Sequence, residues 1–217
     1  MIELIVTKDG SHTIFDSELG VWHHSVNGAL QESTRIFIEL GLLEKAREGK
    51  EMKIFEMGFG TGLNVLLTLI EARKHNYYID YTTLEAFPLP EEKYEALNYD
   101  LLLDSNVLQQ LHQLSWNQKH DVMNGFSLTK IQNDLLEYRF AQKMDLVYFD
   151  AYSPNTQPEL WTEEVFRKIY DAMNIGGVLM TYCSKTVVRK TLLAAGFNVE
   201  KHPGPRGKRE VLRAIKV

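Results

Sequence analysis

Ile54-Phe55-Glu56-Met57-Gly58-Phe59-Gly60-Thr61-Gly62-Leu63-Asn64 is the stretch that decides the fold. A β-branched and aromatic run ends in an acid, three glycines follow at alternate positions, and a long apolar segment (Leu63 to Ala72) comes next. That order predicts a strand, a tight turn and the start of a helix. Glycines let the backbone take up φ > 0 and let a ligand approach closely. The amino end of the helix adds N–H groups that have no partner within it. Such a turn suits a nucleotide-like guest.

Spacing narrows the choice. The dinucleotide fingerprint is G-x-G-x-x-G; Gly58-x-Gly60-x-Gly62 is one residue shorter and has Glu56 two positions ahead of it. A Walker loop needs Gly-Lys-Ser/Thr, and the chain has none there. An acid in the turn repels a pyrophosphate and attracts a cationic amino-acid head group. E-x-G-x-G-x-G resembles motif I of class I S-adenosylmethionine methyltransferases, whose guest carries an ammonium and a sulfonium in place of phosphates. Glu56, Gly58, Gly60, Gly62 and Asn64 are thereby the expected cofactor-binding residues.

Downstream of Met52 the pattern alternates between strand and helix, which predicts a parallel sheet with crossover helices. Tyr77 to Phe87 is rich in strand formers and carries Glu85, 23 residues after Gly62. An acid about 20 residues beyond the glycine turn, at the end of the second strand, is placed to accept hydrogen bonds from ribose hydroxyls. Asp145 to Asp150 is a central strand delivering an acid into the proline-broken Ala151-Tyr152-Ser153-Pro154. Ligands of open α/β sheets bind outside the carboxyl ends of the strands, so Asp150 is expected to face whatever lies against the cofactor.

Elsewhere the elements are plainer. Upstream, a short hairpin (Ile2 to Phe15) and a helix over Leu30–Leu40, ending near Gly41, form an extension over residues 1–50, ahead of a main domain over 51–217. The polar segment His24 to Ala29 could face the cofactor. Helices are predicted at Pro88–Glu92 onward, Leu101–Leu114 and Ser127–Phe140, with a short strand and turn at His120–Gly125. A helix from Gln157 to Gly176-Gly177, a strand over Val178–Tyr182, a helix over Thr186–Ala195 and a closing hairpin (Phe197–Lys201, Arg209–Lys216) complete the chain.

Composition is that of an ordinary globular protein: 217 residues, 44% hydrophobic and 24% charged. No apolar run reaches the ~20 residues of a membrane span, and the N-terminus has no basic-then-apolar leader; a cytoplasmic protein without a membrane partner is expected. One cysteine (Cys183) and scattered histidines supply no metal-ligand spacing, so no metal is expected. Net charge is −5, yet residues 185–217 hold nine Lys/Arg against two acids, +7, leaving −12 on the remainder. A local basic end can track phosphates although the total is negative.

Taken together, the segments Phe55–Asn64, Phe149-Asp150-Ala151-Tyr152-Ser153-Pro154, Pro158-Glu159-Leu160-Trp161, Thr181–Lys185 with Val188-Arg189, and Gly204-Pro205 with Gly207-Lys208-Arg209-Glu210 resemble the tRNA 5-methylaminomethyl-2-thiouridine methyltransferase family. The resemblance implies a Rossmann-like α/β fold with a mostly parallel sheet and a terminal antiparallel hairpin. It implies methyl transfer from S-adenosylmethionine, with no metal or flavin, to the 5-aminomethyl nitrogen of a modified wobble uridine. Some members fuse this domain to a flavin-dependent oxidase; this chain is similar to the stand-alone form, for which a separate flavin oxidase would act upstream. Asn124-Gly125 stands where the family often has Gly-Asp, so Asn124 is expected at the adenine. Asp150 is the expected catalytic residue. Tyr152, Trp161 and Tyr182 are candidates to stack on an anticodon-loop base, and Lys185, Arg189, Arg206, Lys208 and Arg209 to meet phosphates of the tRNA.

Two alternatives stand beside this reading. Aminopropyl transfer to a polyamine uses the same glycine turn, a strand-end acid and an acceptor amine. A non-catalytic binding module on this fold would bind the cofactor without turnover.

Overall fold

The computed structural model describes residues 2–17 and 20–217. Eight strands form the main sheet in the order β10-β11-β9-β8-β4-β5-β7-β6. Its middle is parallel: β4 (Glu51–Met57) lies between β5 (Tyr78–Glu85) and β8 (Met144–Phe149), with β7 (Phe126–Gln132) beyond β5 and β9 (Met173–Thr181) beyond β8. Antiparallel strands close both sides, β6 (Gln118–Met123) on one and β11 (Glu210–Lys216) with β10 (Phe197–Pro203) on the other. The strand order reverses between β4 and β8, which opens a crevice at their carboxyl ends.

Central strands carry apolar side chains towards both faces, because helices cover both. Ile54 and Phe55 of β4 and Leu146 to Phe149 of β8 are fully buried. Crossover helix α2 (Leu63–His75) ends on Arg73, Lys74 and His75, cations suited to a helix carboxyl end, and on Asn76 in the left-handed region. Short helices α3 (Glu91–Tyr94), α4 (Tyr99–Leu102) and α5 (Leu108–Gln113) fill the span to β6, and α6 (Glu163–Asp171) and α7 (Thr186–Ala194) the other crossovers.

Ahead of the main sheet, β1 (Ile2–Val6), β2 (His12–Asp16) and β3 (Val21–Trp22) form a three-stranded antiparallel sheet. It is tied to the body by His12 and Gly10: the His12 N–H donates to Asn98 Oδ1, and the Gly10 and His12 carbonyls accept from Asn98 and Tyr99. Helix α1 (Ala29–Ser33) follows and widens into π-helical turns over Thr34–Leu43.

Four predicted elements need correction. The first helix does not end at Gly41; that glycine sits inside the π turns where a Cβ would lie 3.1 Å from Met180 and 3.4 Å from Tyr148. Leu101–Leu114 is two short helices, α4 and α5, with Asp104 at φ 50 in the break. Ser127–Phe140 is not a helix: its first part is strand β7, followed by irregular chain. The segment from Gln157 is a 3₁₀ turn (Pro158–Trp161) followed by α6, which stops at Asp171, and Gly176-Gly177 lies within β9 at a register shift. There a Cβ on Gly177 would come within 2.7 Å of the Asn174 carbonyl, so the glycine marks a bulge in the strand.

Candidate active site

The glycine turn runs from the end of β4 into α2. Gly58, Gly60 and Gly62 have φ of 93, 47 and 73, all in the region that favours glycine. Gly58 also serves close approach: a Cβ there would sit 2.9 Å from the Asp150 carbonyl, so the ends of β4 and β8 can touch only without one. The Asp150 N–H donates to the Met57 carbonyl across the same seam, at 3.1 Å.

Glu56 lies below the turn and is fully buried. Thr83 donates to its Oε2 at 2.7 Å, while Oε1 has no partner. Burial pushes the Glu56 carboxyl up to about 8. The amide of Asn64, in the first turn of α2, borders Glu56 and donates to Asp150 Oδ2 at 2.9 Å; its own oxygen is buried without a partner. Two orphaned acceptors at one spot are costly unless a donor arrives, and an ammonium, with three N–H donors and a positive charge, is what would satisfy them. Glu85, at the end of β5, accepts from the Gly60 N–H at 3.0 Å and the Phe87 N–H at 2.9 Å, and burial raises its pKa. These residues fit an amino acid joined to a nucleoside: Glu56 and Asn64 for the ammonium, the open amides of α2 for its carboxylate, Glu85 for ribose hydroxyls.

Asn124 is a correction. It sits in the β6–β7 turn, where the Gly125 carbonyl accepts from Ile79 at the start of β5, so it occupies the amino edge of the sheet. It lines a surface depression there with Glu51, Tyr78 and Asp121. Because β7 runs parallel to β5, the chain reaches the glycine side at Gln132 and Asn133 instead; the Asn133 N–H donates to the Glu85 carbonyl at 3.2 Å.

On the other side of the crevice stand Asp150, Tyr152 and Tyr182. Burial is the main cause that brings the Asp150 carboxyl up to about 7, offset in part by the Asn64 hydrogen bond. Tyr182 donates to the Ala151 carbonyl at 2.9 Å. Tyr152 shares a 2.8 Å hydrogen bond with His23 Nε2. Trp161 is a second correction: it is 6% exposed, edge-on to Phe149 at 5.0 Å, and its indole N–H donates to the Tyr152 carbonyl. It supports Tyr152 from behind and offers no face to a base.

The basic end divides. Lys201 pairs with Glu210, Arg213 with Glu200, and Lys216 donates to the carbonyls of Tyr170 and Met173. Lys185 and Arg189 open α7, and Arg206 and Arg209 lie in the β10–β11 loop, all at the carboxyl edge of the parallel strands. Arg206 and Arg209 are exposed, and Lys185 reaches Asn155 at 2.8 Å. Lys208 is the third correction: its ammonium is paired with Glu32, itself 6% exposed, and lies 4.1 Å over the Tyr182 ring, so it is not free for a phosphate.

His23, His112 and Lys130 carried no signal of their own in the sequence, and His24 only that of its polar segment. His24 Nε2 meets Thr61 Oγ1 of the glycine turn at 2.9 Å, and a Cβ on Gly60 would lie 3.3 Å from His23, so the polar N-terminal segment does cover the turn. Burial pushes both histidines down to about 4, which keeps them neutral at pH 7. From the outer side His112 reaches the Thr61 carbonyl at 3.1 Å, and Lys130, fully buried, lies over the rings of Trp116 and Phe59.

Comparison with known proteins agrees with this geometry. The chain is 31% identical over 228 residues to the tRNA 5-methylaminomethyl-2-thiouridine biosynthesis bifunctional protein MnmC of Cupriavidus metallidurans, covering 96% of this chain and 33% of that protein. It spans about a third of the length of the curated relatives it matches. The crystal structure of MNMC2 from Aquifex aeolicus superposes with a TM-score of 0.82 at 27% identity, over 100% of this chain and 70% of that one. Spermidine synthase from Thermotoga maritima shares the fold alone, with a TM-score of 0.56 at 14% identity over 95% of this chain and 68% of its own. Residues 92–217 match the model of a family described as S-adenosyl-L-methionine-dependent methyltransferase. With a glycine turn, an orphaned acid beneath it and a second acid across the seam, the chain belongs to that S-adenosyl-L-methionine-dependent methyltransferase family.

Proposed function

We propose that this protein transfers a methyl group from S-adenosylmethionine to the 5-aminomethyl nitrogen of the modified wobble uridine of tRNA, giving 5-methylaminomethyl-(2-thio)uridine. The observation that carries it is Asp150, a half-buried carboxyl just past the end of β8 that shares Asn64 with the ammonium-binding acid Glu56. The resemblance to the MnmC proteins supports the substrate.

When bound, S-adenosylmethionine supplies a methyl carbon on a positive sulfur; the N–C bond forms as the C–S bond breaks, and its electron pair stays on sulfur as a neutral thioether. Glu56, Asn64 and Glu85 fix that donor, and Gly58 lets Asp150 stand close to it. An aliphatic amine arrives as an ammonium, which has no lone pair to attack with. Asp150, poised near neutral pH, takes that proton on the oxygen that Asn64 leaves open. The neutral amine then donates an N–H to the carboxyl, which leaves its lone pair free and aims it at the methyl carbon. Alignment of this kind is worth roughly 7–11 kcal/mol in intramolecular models. Tyr182 and Tyr152 bound the acceptor side, and Lys185, Arg189, Arg206 and Arg209 are set for phosphates of the anticodon stem and loop.

The test is nucleoside mass analysis of tRNA lacking this methyl group after incubation with S-adenosylmethionine, using the parent and Asp150→Ala. A one-methyl gain at the wobble uridine with the parent, lost in the variant while donor binding persists, is expected. No gain with the parent, or normal turnover in the variant, overturns the assignment. Decarboxylated S-adenosylmethionine with putrescine, run beside it, tests aminopropyl transfer, for which only the shared fold speaks.

A further inference from the structure

Glu32 and Lys208 come from opposite ends of the chain and meet beside the acceptor wall. Glu32 is in α1 and is buried; the Ser25 N–H donates to its Oε2 at 2.8 Å. Lys208 is in the β10–β11 loop, and its ammonium closes on Glu32 while resting on the Tyr182 ring. Tyr182 in turn is hydrogen-bonded to the Ala151 carbonyl, the residue after Asp150. The contact is built, not incidental. Gln31 pairs with Arg206 in both directions, its amide donating to the Arg206 carbonyl and accepting from the Arg206 N–H at 3.1 Å. Gly207 packs on Asn27, where a Cβ would come within 2.2 Å of the Asn27 amide.

We propose that the Glu32–Lys208 pair is a positioning device for the acceptor reaction, which holds opposed charges against the Asp150–Tyr182 wall and so sets how readily Asp150 takes the proton of the acceptor amine. This rests on the methyl-transfer reading of the site. An ion pair of a buried carboxylate with a half-buried ammonium adds little net stability, whether compared with exposed pairs or with apolar residues of the same shape, so stability alone gives no reason for this one. Its two charges act on Asp150 in opposite senses: Glu32 disfavours the carboxylate and Lys208 favours it. The other ionisable groups around Asp150 are Glu56 of β4, Tyr81 of β5 and Tyr182 beyond β9; Glu56 and the two hydroxyls bring no cation, so Lys208 is the one positive charge acting on Asp150 among the described residues. Glu32 keeps that cation from stabilising the carboxylate outright. Without Glu32, Asp150 would ionise more easily and be a weaker base for the ammonium. Glu32 and Lys208 act through Asp150, and neither is assigned contact with the reacting atoms.

The experiment follows the Asp150 carboxyl by carbon-13 NMR titration of the full chain without substrate, together with the pH dependence of methyl transfer. Glu32→Gln should lower the Asp150 midpoint by about one pH unit and carry the acid limb of the rate profile down with it. Adding Lys208→Gln to that variant should return both towards the parent, since the opposed charge is then gone as well. A structural tie would lose activity in both variants without moving either midpoint, and that result overturns the proposal; so does a midpoint that rises in Glu32→Gln. Should Glu32→Gln not fold, Lys208→Gln and the double variant carry the test: the Asp150 midpoint should rise in Lys208→Gln, where Glu32 is left uncancelled, and fall back in the double variant, and an unmoved or lowered midpoint in Lys208→Gln overturns the proposal. If the NMR midpoints move as expected but no methyl reaches tRNA with any protein, the tuning stands and it is the substrate assignment that fails.

Discussion

On one side of the crevice, the groups proposed to meet the donor come from one run of chain, Glu56 to Glu85, folded as strand, turn, helix and strand. On the other, Glu32, Asp150, Tyr182 and Lys208 come from four segments that meet only in the finished fold. The donor side is a backbone turn of glycines at positive φ, one of whose amides is held by Glu85, with the Glu56 and Asn64 side chains beside it. The acceptor side is largely side chain, and one pair of opposed charges, Glu32 and Lys208, is built into it. A molecule common to many reactions can be held by a local motif, whereas a particular acceptor needs a wall assembled from distant parts.

Substitutions can separate the two sides. The largest effect is expected from Asp150→Ala, with the rate of transfer falling by about 10²–10⁴-fold while donor affinity by calorimetry stays within about threefold; equal loss of both would mean that the sides are not separable. Glu56→Gln should do the opposite, weakening donor binding by about 10–100-fold. It also has a signature without donor. The Glu56 carboxyl keeps its proton to about pH 8 in the fold, against 4.5 for an ordinary glutamate. Between those values the native state binds the extra proton, so stability of the donor-free protein falls as pH rises. Glu56→Gln removes that fall, and its melting temperature relative to the parent should climb across this window and level off above it. For the same reason donor binding by the parent should tighten as pH rises towards 8 and release protons as it does so.

Gly58→Ala breaks the seam itself. With φ at 93 and the Asp150 carbonyl 2.9 Å from the added carbon, it should cost about 1–3 kcal/mol of folding stability and impair donor binding and transfer together, measurable by urea denaturation and the same assays. The smallest effects belong to Arg206→Ala and Arg209→Ala. Each should weaken tRNA several-fold and reduce the slope of log affinity against log salt by about one, with donor affinity unchanged. An unchanged slope would remove these side chains from the RNA surface.

What could be read from the residues follows the same division. The glycine turn, Glu85, Asp150 and the closing hairpin announce themselves because each depends on a local pattern. Strand β7 does not. Its inward positions are Phe126, Leu128 and Lys130, and the lysine, buried over Phe59 and Trp116, breaks the alternation that would have marked a strand. Asn124 is expected at the adenine because Asn124-Gly125 stands where the resembled family often has Gly-Asp, yet the β6–β7 turn that carries it lies at the amino edge of the sheet. Lys208 was legible as a basic residue near the site, but nothing in its neighbourhood along the chain points to Glu32, its partner in space. Trp161 has the composition of a stacking residue, and only packing shows its faces already taken.

The pairing of Glu32 with Lys208 bears on synthesis as well as chemistry. A ribosome delivers α1 and the glycine turn well before the β10–β11 loop that matches the charge of α1. Until the β10–β11 hairpin is threaded into place, the glycine turn can already be formed while Glu32 waits with its charge unmatched. A nascent or clipped chain would therefore acquire its grip on the small molecule before it acquires competence towards the large one.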